Sequence, residues 1–380
     1  MIMSKRSLMI GFLLAMAVFA YAQTVENVIL MIPDGCSGNL IELYKMVSKQ
    51  DPKKYPPLAF ENIQTGMICT LNCDGRTTDS AAAGTAYATG VKTKNAYLAM
   101  TPDGKVLPTI AEKAKQKGMS VGLLTSDSIN GATPSAFCAH VSNRGKVEDI
   151  KKMREAQGFD VTEGSEKKNL LVEKTTQALQ LLSQNKKGFF LMVEGGAIDH
   201  SQHGNNPAGA LEDLEDFNRA VSAVRDFVKS NGKTLLIISP DHDTGGMSIT
   251  GTNLVSQLIA QTVTAKELIK KLEKSDANHT VQSLSAAITQ EYKISVPIEE
   301  IEKIFKANEK EYAKRSKKDQ VQHLLEKVAR LINTYVFGVS YTTGGHTEID
   351  VPLWSMGPKA MSGKIDNTDV NKHIVNVLGL

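Results

Sequence analysis

Five short apolar runs, rich in β-branched and aromatic residues, recur along this chain of 380 residues. Runs of this kind are typical of strands that are buried on both faces of a sheet. They are Val28–Ile32, Ser120–Leu124, Gly188–Val193, Thr234–Ser239 and Val351–Met356. Between them lie segments with the periodicity of amphipathic helices, for example Leu107–Lys117, Leu170–Ser183 and Asn205–Lys229. The alternation predicts an α/β fold with a mostly parallel central sheet flanked by helices.

The stretch from about 252 to 335 has a different character. It is rich in Lys, Glu, Gln and Ala, and its helical periodicity carries only scattered apolar positions. We interpret it as a helical insertion beside the sheet. Residues 23–380 are then predicted to form a single α/β domain that includes this insertion.

Residues 1–22 have the pattern of a signal peptide. Lys5 and Arg6 precede the apolar run Leu8–Ala20, and a small-residue site ends at Ala22. Cleavage after Ala22 and a periplasmic or secreted location are therefore expected. A membrane anchor is the alternative, but the run is shorter than the roughly 20 residues that a spanning helix needs, so no stable anchor is expected.

The charge balance and the cysteines narrow the function classes. Loss of the two basic residues in the signal peptide leaves a net charge of about +1, which does not favour a nucleic-acid partner. Cys36, Cys69, Cys73 and Cys138 permit two disulfides in an oxidising compartment, and their pairing stays open. For Cys69 and Cys73, a mutual bridge and two small buried hydrophobes are both possible, with the second slightly favoured. The absence of a CxxC pair argues against a cysteine-rich zinc site.

Acidic and imidazole side chains follow three of the predicted strands. Asp34 follows the first, Glu194 and Asp199 follow the third, and Asp241 and His242 follow the fourth. A single Asp in such a place commonly caps a helix or makes a turn. Five such groups at the ends of three strands instead favour a site, because ligands of open parallel sheets bind beyond the carboxyl ends of the strands.

The spacing within these groups is suited to metal binding. Glu194–His203 carries two carboxylates and two imidazoles in one short stretch, and Asp199 and His203 are four residues apart, so they share a face if the stretch is helical. Mixed imidazole and carboxylate ligands suit zinc better than calcium. The adjacent Asp241 and His242 add ligands for a second metal. His346 follows two glycines; taken alone it is an ordinary loop histidine.

Ser80 stands where the polar run Thr77–Asp79 meets a segment of small residues. It can be a simple N-cap. The alternative is a nucleophile, because a helix N-terminus attracts anions and a neighbouring zinc ion lowers the pKa of a hydroxyl.

Taken together, these segments resemble the alkaline phosphatases. The shared motifs are MIPDG, TDSAAAGTAYATGVKT, ATPSAFCAHVSNR, EGGAIDHSQH, PDHDTGG and GGHT, in the order of that family. The resemblance runs from about Asn27 to the C-terminus, and only the helical insertion lies outside it.

The resemblance implies two zinc ions, one magnesium ion and a role for ten side chains. The second zinc would be held by Asp34, Asp241 and His242 beside Ser80. The first zinc would be held by Asp199, His203 and His346. Thr133 and Glu194 would join Asp34 at magnesium, and Arg144 would bind phosphate.

The implied activity is hydrolysis of phosphate monoesters through a phosphoserine, with small phosphorylated substrates, a broad range, an alkaline pH optimum and a possible homodimer. Two positions depart from bacterial relatives. Gly131 stands where they often carry an Asp near magnesium, and His200 stands where some carry a lysine. Groups behind the ligands tune metal affinity, so a stronger dependence on added magnesium is expected.

Three rival functions remain. A relative that cleaves phosphodiesters or pyrophosphates often uses a Thr nucleophile, so Ser80 and Arg144 favour monoesters. A sulfatase is disfavoured because the chain lacks the C/S-x-P-x-R setting. A non-catalytic binder of phosphate or zinc is disfavoured by the intact nucleophile and ligand set.

Overall fold

The computed structural model describes residues 24–165, 170–251, 258, 265–274, 280–306 and 327–380. The proposed signal peptide, residues 1–22, and large parts of the 252–335 stretch lie outside these ranges. Among the helices that are described, none combines the length and hydrophobicity needed to cross a bilayer.

Twelve strands are found in the described ranges, and eight of them form the main sheet. Its order is β12-β2-β11-β6-β1-β5-β3-β4, and two small sheets pair β10 with β7 and β8 with β9. The bounds are β1 (Asn27–Ile32), β2 (Gln64–Cys69), β3 (Ser120–Thr125), β4 (Val161–Gly164), β5 (Phe189–Glu194), β6 (Thr234–Ile238), β7 (Asp243–Thr244), β8 (Met247–Ile249), β9 (Val339–Tyr341), β10 (His346–Thr347), β11 (Val351–Met356) and β12 (Gly363–Asp366).

Helices lie between the strands along the described part of the chain. They are α1 (Gly38–Gln50), α2 (Ser80–Thr89), α3 (Ile110–Gln116), α4 (Ala132–Ser135), α5 (Val147–Gln157), α6 (Leu171–Leu182), α7 (Ala197–His203), α8 (Pro207–Asn231), α9 (Ala265–Lys274), α10 (Val281–Tyr292), α11 (Ile298–Lys306) and α12 (Asn367–Leu378). A 3₁₀ turn spans Glu61–Ile63, and residues 327–332 are also helical and lead into a π-helical turn at Asn333–Phe337. Helices α9–α11 lie within the proposed insertion, whose limits stay a prediction.

The sheet is covered by helices on both faces. Successive residues of β1 point to opposite sides, so Ile29 and Met31 join one hydrophobic cluster while Val28 and Leu30 join the other. Helices α1, α6 and α8 contribute to the first cluster, and α2, α3 and α12 contribute to the second. This arrangement confirms the predicted α/β class and explains why the central strands read as continuous apolar runs.

The main sheet is parallel except for β11. That strand runs antiparallel to both of its neighbours, β2 and β6. Strands β2, β4 and β12 are additions that the apolar runs did not indicate. In β2, Gly66 allows close pairing, because a Cβ at this position would lie 1.9 Å from the carbonyl oxygen of Gly363 in β12.

The four cysteines form no disulfide in the described part of the chain. Cys36 and Cys138 are fully buried, which raises the pKa of both thiols. Cys69 and Cys73 are partly exposed. The buried thiols of Cys36 and Cys138 therefore behave as small hydrophobic side chains.

The register of the central strands brings several loops to one edge. Ile32 at the end of β1 lies opposite Glu194 at the end of β5, and Thr125 at the end of β3 lies opposite the same residue. Met31 lies opposite Ile238, the last residue of β6. The segments that follow these four strands therefore emerge side by side.

Candidate metal and phosphate site

The first group of side chains at this edge comprises Asp34, Asp241 and His242. Each offers one ligand atom, and the three atoms lie within 4.8 Å of one another. Nε2 of His242 is 3.5 Å from Oδ1 of Asp34 and 3.3 Å from Oδ2 of Asp241. All three residues are buried. The sequence placed these residues in one metal site, and the fold brings them together.

In each of the two carboxylates of this group, one oxygen lacks a hydrogen-bond donor. Oδ1 of Asp34 and Oδ2 of Asp241 are buried and have no hydrogen-bond partner among the described residues. The other oxygen of Asp241 accepts from the backbone N–H groups of Gly35 at 3.2 Å and His242 at 3.1 Å. Buried carboxylate oxygens without donors are costly unless a cation faces them, so the group fits a divalent metal.

The protonation equilibria support the same conclusion. Burial, followed by the charges of Asp241 and Asp199, raises the pKa of Asp34 well above its usual range. Burial also raises the pKa of Asp241 to about 7, and it raises the pKa of Glu194. Carboxyl groups this close cannot all ionise unless a positive charge compensates them, and a bound divalent cation reverses the balance.

The second group comprises Asp199 and His203 on α7 and His346 on β10. Nε2 of His203 is 3.2 Å from Oδ2 of Asp199 and 3.1 Å from Nε2 of His346. Nε2 of His346 is 3.8 Å from Oδ1 of Asp199. The helical spacing predicted for Asp199 and His203 is therefore observed, and the loop histidine joins them.

The ring orientation of these two histidines is fixed by backbone carbonyls. Nδ1 of His203 is 2.7 Å from the carbonyl oxygen of Gly344, and Nδ1 of His346 is 2.8 Å from that of Thr78. A carbonyl only accepts, so each Nδ1 carries a proton, and a neutral ring then presents an unprotonated Nε2. Two bare nitrogens 3.1 Å apart require a proton or a metal ion between them, which fits zinc.

The two groups adjoin each other. The rings of His242 and His346 are stacked, with centroids 3.6 Å apart. Burial, followed by the charge of His346, lowers the pKa of His242 well below its usual value. When the ring of His203 is protonated on both nitrogens, Nε2–H donates to Asp199, and this hydrogen bond raises the pKa of His203. Burial would raise the pKa of Asp199, but its hydrogen bond with His203 and the charge of His242 lower it overall.

Ser80 is the first residue of α2, and it does not cap the helix. The N-cap is Asp79, whose side chain accepts from the backbone N–H of Ala82 at 2.9 Å. The Ser80 hydroxyl is buried and lies 3.1 Å from Nε2 of His242. The N-cap interpretation of Ser80 is therefore wrong, because its neighbour already fills that position.

Arg144 reaches the same helix N-terminus. Its Nη1 is 3.5 Å from Oδ2 of Asp79, and its backbone N–H donates to the carbonyl of Ala96 at 2.8 Å. The Arg144 side chain is 41% exposed, so it is partly accessible to solvent beside this helix N-terminus. Asp79 was missed as a functional residue, although its position before a small-residue helix is a standard N-cap signal.

Thr133 and Glu194 belong to two further elements that adjoin Asp34. The Thr133 hydroxyl donates to Oδ2 of Asp34 at 3.3 Å. Thr133 belongs to α4, which follows β3, and Glu194 ends β5; both are buried. One hydroxyl and two carboxylates form an oxygen-rich set, which suits magnesium better than zinc.

Comparisons with known proteins agree with the motifs and with the arrangement of this site. The family model described as alkaline phosphatase matches residues 25–169 and 158–380. This chain belongs to the alkaline phosphatase family. It is 30% identical to alkaline phosphatase 4 of Bacillus subtilis over 93% of this chain and 89% of that protein. Alkaline phosphatase 3 of the same organism is 28% identical with the same coverage.

Solved structures agree with this membership. The cold-active alkaline phosphatase of Shewanella sp. superposes with a TM-score of 0.77 and 26% identity, over 93% of this chain and 99% of that one. The alkaline phosphatase of Thermus thermophilus has a TM-score of 0.78 at 23% identity, over 94% and 92%, which supports the fold. The chain is accordingly a phosphoric monoester hydrolase of a metal-dependent family.

The carboxylate of Asp127 lies beside Gly131, the glycine that departs from the bacterial pattern. Gly131 is the N-cap of α4 and makes no side-chain cap. A Cβ there would lie 3.9 Å from Oδ2 of Asp127, which is 3.0 Å from Nε2 of His200. The phosphatase thus has an Asp–His pair next to the candidate ligand residues Asp199 and Glu194, and the sequence did not indicate Asp127.

Thr244 is another residue of the site that sequence reasoning missed. Its Oγ1 is 2.6 Å from Oδ1 of Asp199 and 3.2 Å from Nδ1 of His242. It lies within the PDHDTGG motif, but a Thr before two glycines looks like a turn residue, so only the folded structure shows these contacts.

Proposed function

We propose that this phosphatase hydrolyses small phosphate monoesters through a phosphoserine at Ser80, with two zinc ions and one magnesium ion. The observation that carries the proposal is the position of the Ser80 hydroxyl, which is buried at a helix N-terminus 3.1 Å from a nitrogen of the metal-ligand group. A hydroxyl in that place would lie beside a cation held by Asp34, Asp241 and His242, and it would meet an anion held at the helix N-terminus.

The ligand roles proposed are those given by the resemblance, and the donor sets support them. Asp34, Asp241, His242 and Ser80 would hold one zinc, Asp199, His203 and His346 the other, and Asp34, Thr133 and Glu194 magnesium. Bound cations would supply Lewis-acid stabilisation of the phosphoryl oxygens and lower the pKa of nearby hydroxyl groups.

The reaction of the chain's own residues follows from this arrangement. Oγ of Ser80 bonds to phosphorus as the bond to the alcohol oxygen breaks, and the hydroxyl proton of Ser80 ends on the released alcohol, which leaves phosphoserine. Water then attacks phosphorus in line, the bond to Oγ breaks, one proton of the water returns to Oγ, and inorganic phosphate leaves. Two in-line displacements give net retention of configuration at phosphorus.

Arg144 is proposed to bind the phosphoryl group. Its planar guanidinium can donate to two non-bridging oxygens at once, and the neighbouring carboxylate of Asp79 limits its rotation. A monoester offers more free oxygens to such a fork than a diester does. This geometry favours monoesters over the diester alternative.

Several further properties belong to the proposal. We expect a broad substrate range and an alkaline pH optimum, no nucleic-acid partner, and possible assembly as a homodimer. We also expect export to the periplasm or medium after cleavage behind Ala22, without a stable membrane anchor. Intact-mass measurement of the exported protein checks the cleavage point, because an N-terminus other than Gln23 would contradict it.

The test compares hydrolysis of p-nitrophenyl phosphate and bis-p-nitrophenyl phosphate at alkaline pH with zinc and magnesium supplied. Wild type should strongly prefer the monoester, and Ser80→Ala should lower kcat/KM by more than about a hundredfold. Ser48→Ala is the control, since Ser48 is a buried serine near the far end of α1. A preference for the diester, or full activity in Ser80→Ala, would move the protein to the rival branch.

A further inference from the structure

Thr244 joins the two ligand groups through one hydroxyl. The residue is fully buried, and its Oγ1 lies between Oδ1 of Asp199 at 2.6 Å and Nδ1 of His242 at 3.2 Å. Asp199 and His242 belong to the two different zinc sites of the proposed function. A single side chain therefore contacts one ligand of each site.

The direction of the two hydrogen bonds follows from the number of protons. A threonine hydroxyl has one proton to donate, and an ionised carboxylate can only accept. Thr244 must therefore donate to Asp199, and its oxygen is left to accept from Nδ1–H of His242. A neutral His242 with its proton on Nδ1 has a bare Nε2.

The unprotonated Nε2 of His242 is the nitrogen that faces Ser80 and the two carboxylates. Nε2 of His242 is 3.1 Å from the Ser80 hydroxyl, 3.3 Å from Asp241 and 3.5 Å from Asp34. If the proton were on Nε2 instead, the ring could not act as a ligand there. The tautomer of His242 therefore decides whether this group can bind a cation.

The other two histidines do not need a side chain for this purpose. His203 and His346 donate from Nδ1 to backbone carbonyls, which can only accept. A hydroxyl can donate or accept, so Thr244 alone would leave the tautomer of His242 undetermined. The bond to Asp199 removes that freedom, since it uses the only hydroxyl proton.

We propose that Thr244 is a positioning residue that orients Asp199 and fixes the metal-binding tautomer of His242 with the same hydroxyl. The inference rests on the proposed function, because it takes Asp199 and His242 as zinc ligands. It adds a coupling between the two zinc sites, so that loss of one hydroxyl weakens both.

The backbone around this hydroxyl supports the assignment. Gly35 has a φ of +65°, and a Cβ there would lie 2.6 Å from Oδ1 of Asp199 and 2.7 Å from Oγ1 of Thr244. The backbone N–H of Thr244 donates to the carbonyl of Gly35 at 3.2 Å. The hydroxyl bridge is thus packed against a position that only glycine can fill without displacing it.

The test is the zinc affinity of Thr244→Val and Thr244→Ser, measured by competition with a chromogenic chelator in the absence of substrate. Valine keeps the shape and removes the hydroxyl, so zinc should bind about 10- to 100-fold more weakly, with both zinc ions affected. Serine keeps the hydroxyl and should restore most of the affinity. Thr175→Val is the matched control, because Thr175 is buried on α6 and its hydroxyl has no partner among the described residues.

A spectroscopic readout tests the tautomer directly. Long-range ¹⁵N spectra of the metal-free protein with labelled histidine should show His242 protonated on Nδ1 in wild type and Thr244→Ser. His242 in Thr244→Val should lose that preference. A wild-type His242 protonated on Nε2, or unchanged zinc affinity in Thr244→Val, would overturn the inference. If the valine variant does not fold, the wild-type spectrum and the serine variant still decide.

These outcomes are separable from those of the proposed function. If monoester hydrolysis requires Ser80 while Thr244→Val binds zinc as tightly as wild type, only the role of Thr244 is wrong. If Thr244→Val loses zinc while Ser80→Ala retains full hydrolysis, the proposed nucleophile is wrong and the positioning role stands.

Discussion

Replacing Gly35 by alanine should damage the metal site more than it damages the fold. The residue follows β1 directly after Asp34 and has a φ of +65°. An alanine in this left-handed conformation costs about 1–2 kcal/mol of stability. Its Cβ would also lie 2.6 Å from Oδ1 of Asp199 and 2.7 Å from Oγ1 of Thr244, closer than carbon and oxygen atoms can approach without movement.

The conformational cost and the steric cost can be separated by a control. Gly232, the C-cap of α8, has a φ of +69°, and a Cβ there would have no heavy atom within 4 Å. Gly232→Ala therefore carries the same strain without the contact. We expect Gly35→Ala to weaken zinc binding by about 10- to 100-fold, equivalent to about 1.4–2.8 kcal/mol, and Gly232→Ala to leave it unchanged.

The assay measures two quantities for each variant. Chelator competition gives the zinc affinity, and urea unfolding of the metal-free protein gives the free energy of unfolding. Gly232→Ala should lose metal-free stability through the backbone strain alone, Gly35→Ala should lose at least as much, and only Gly35→Ala should lose zinc affinity. Equal zinc affinities in the two variants would refute the reasoning, since the Cβ would then have displaced neither neighbour.

The remaining predictions concern phosphate binding, magnesium and pH. Arg144→Ala should lower kcat/KM for p-nitrophenyl phosphate by about a hundredfold, with partial recovery in Arg144→Lys; equal activity would contradict its role. Because Gly131 has no carboxylate, dialysis should remove magnesium before zinc, and metal analysis of the dialysed protein checks this. Burial lowers the pKa of His140, but the hydrogen bond to Glu112 raises it overall, while the pKa of Glu112 is lowered. Both His140 and Glu112 are thus fully charged between the ordinary pKa of glutamate and that of histidine. The stabilisation by this ion pair is lost as pH rises through the raised pKa of His140. The excess melting temperature of wild type over Glu112→Gln should be largest near about pH 6 and shrink at alkaline pH; a constant excess would contradict the ion pair.

The central strands could be predicted from the sequence because they are buried on both faces. β1 and β5 show this most clearly, since every residue of each strand is buried. The outer strands β4 and β12 carry no such signal because they lie at the edges of the sheet and are partly exposed. β2 was missed because its glycine serves the contact with β12, which is a tertiary feature.

The direction of β11 could not be predicted. A run buried on both faces has the same composition whether its neighbours run parallel or antiparallel. Only the path of the chain between β10 and β12 determines that β11 enters the sheet from the opposite end. The prediction of a mostly parallel sheet was confirmed because the other five pairs of the main sheet are parallel.

The candidate site was predictable where residues follow strands or share a helix turn. Asp34 and Asp241 follow neighbouring strands, so their meeting follows from the parallel register. Thr244 and Asp127 act through contacts with residues far along the chain, for example 45 residues between Thr244 and Asp199. Such contacts depend on tertiary packing, and no local spacing indicates them.

Trapping the covalent intermediate tests the central claim most directly. Wild-type enzyme is mixed with radiolabelled inorganic phosphate or a labelled monoester, quenched in acid, digested, and analysed by mass spectrometry. The account predicts one phosphoryl group on the peptide that contains Ser80, and none in Ser80→Ala. Turnover of the monoester by wild type with no label on Ser80, or with label on another residue, would contradict it.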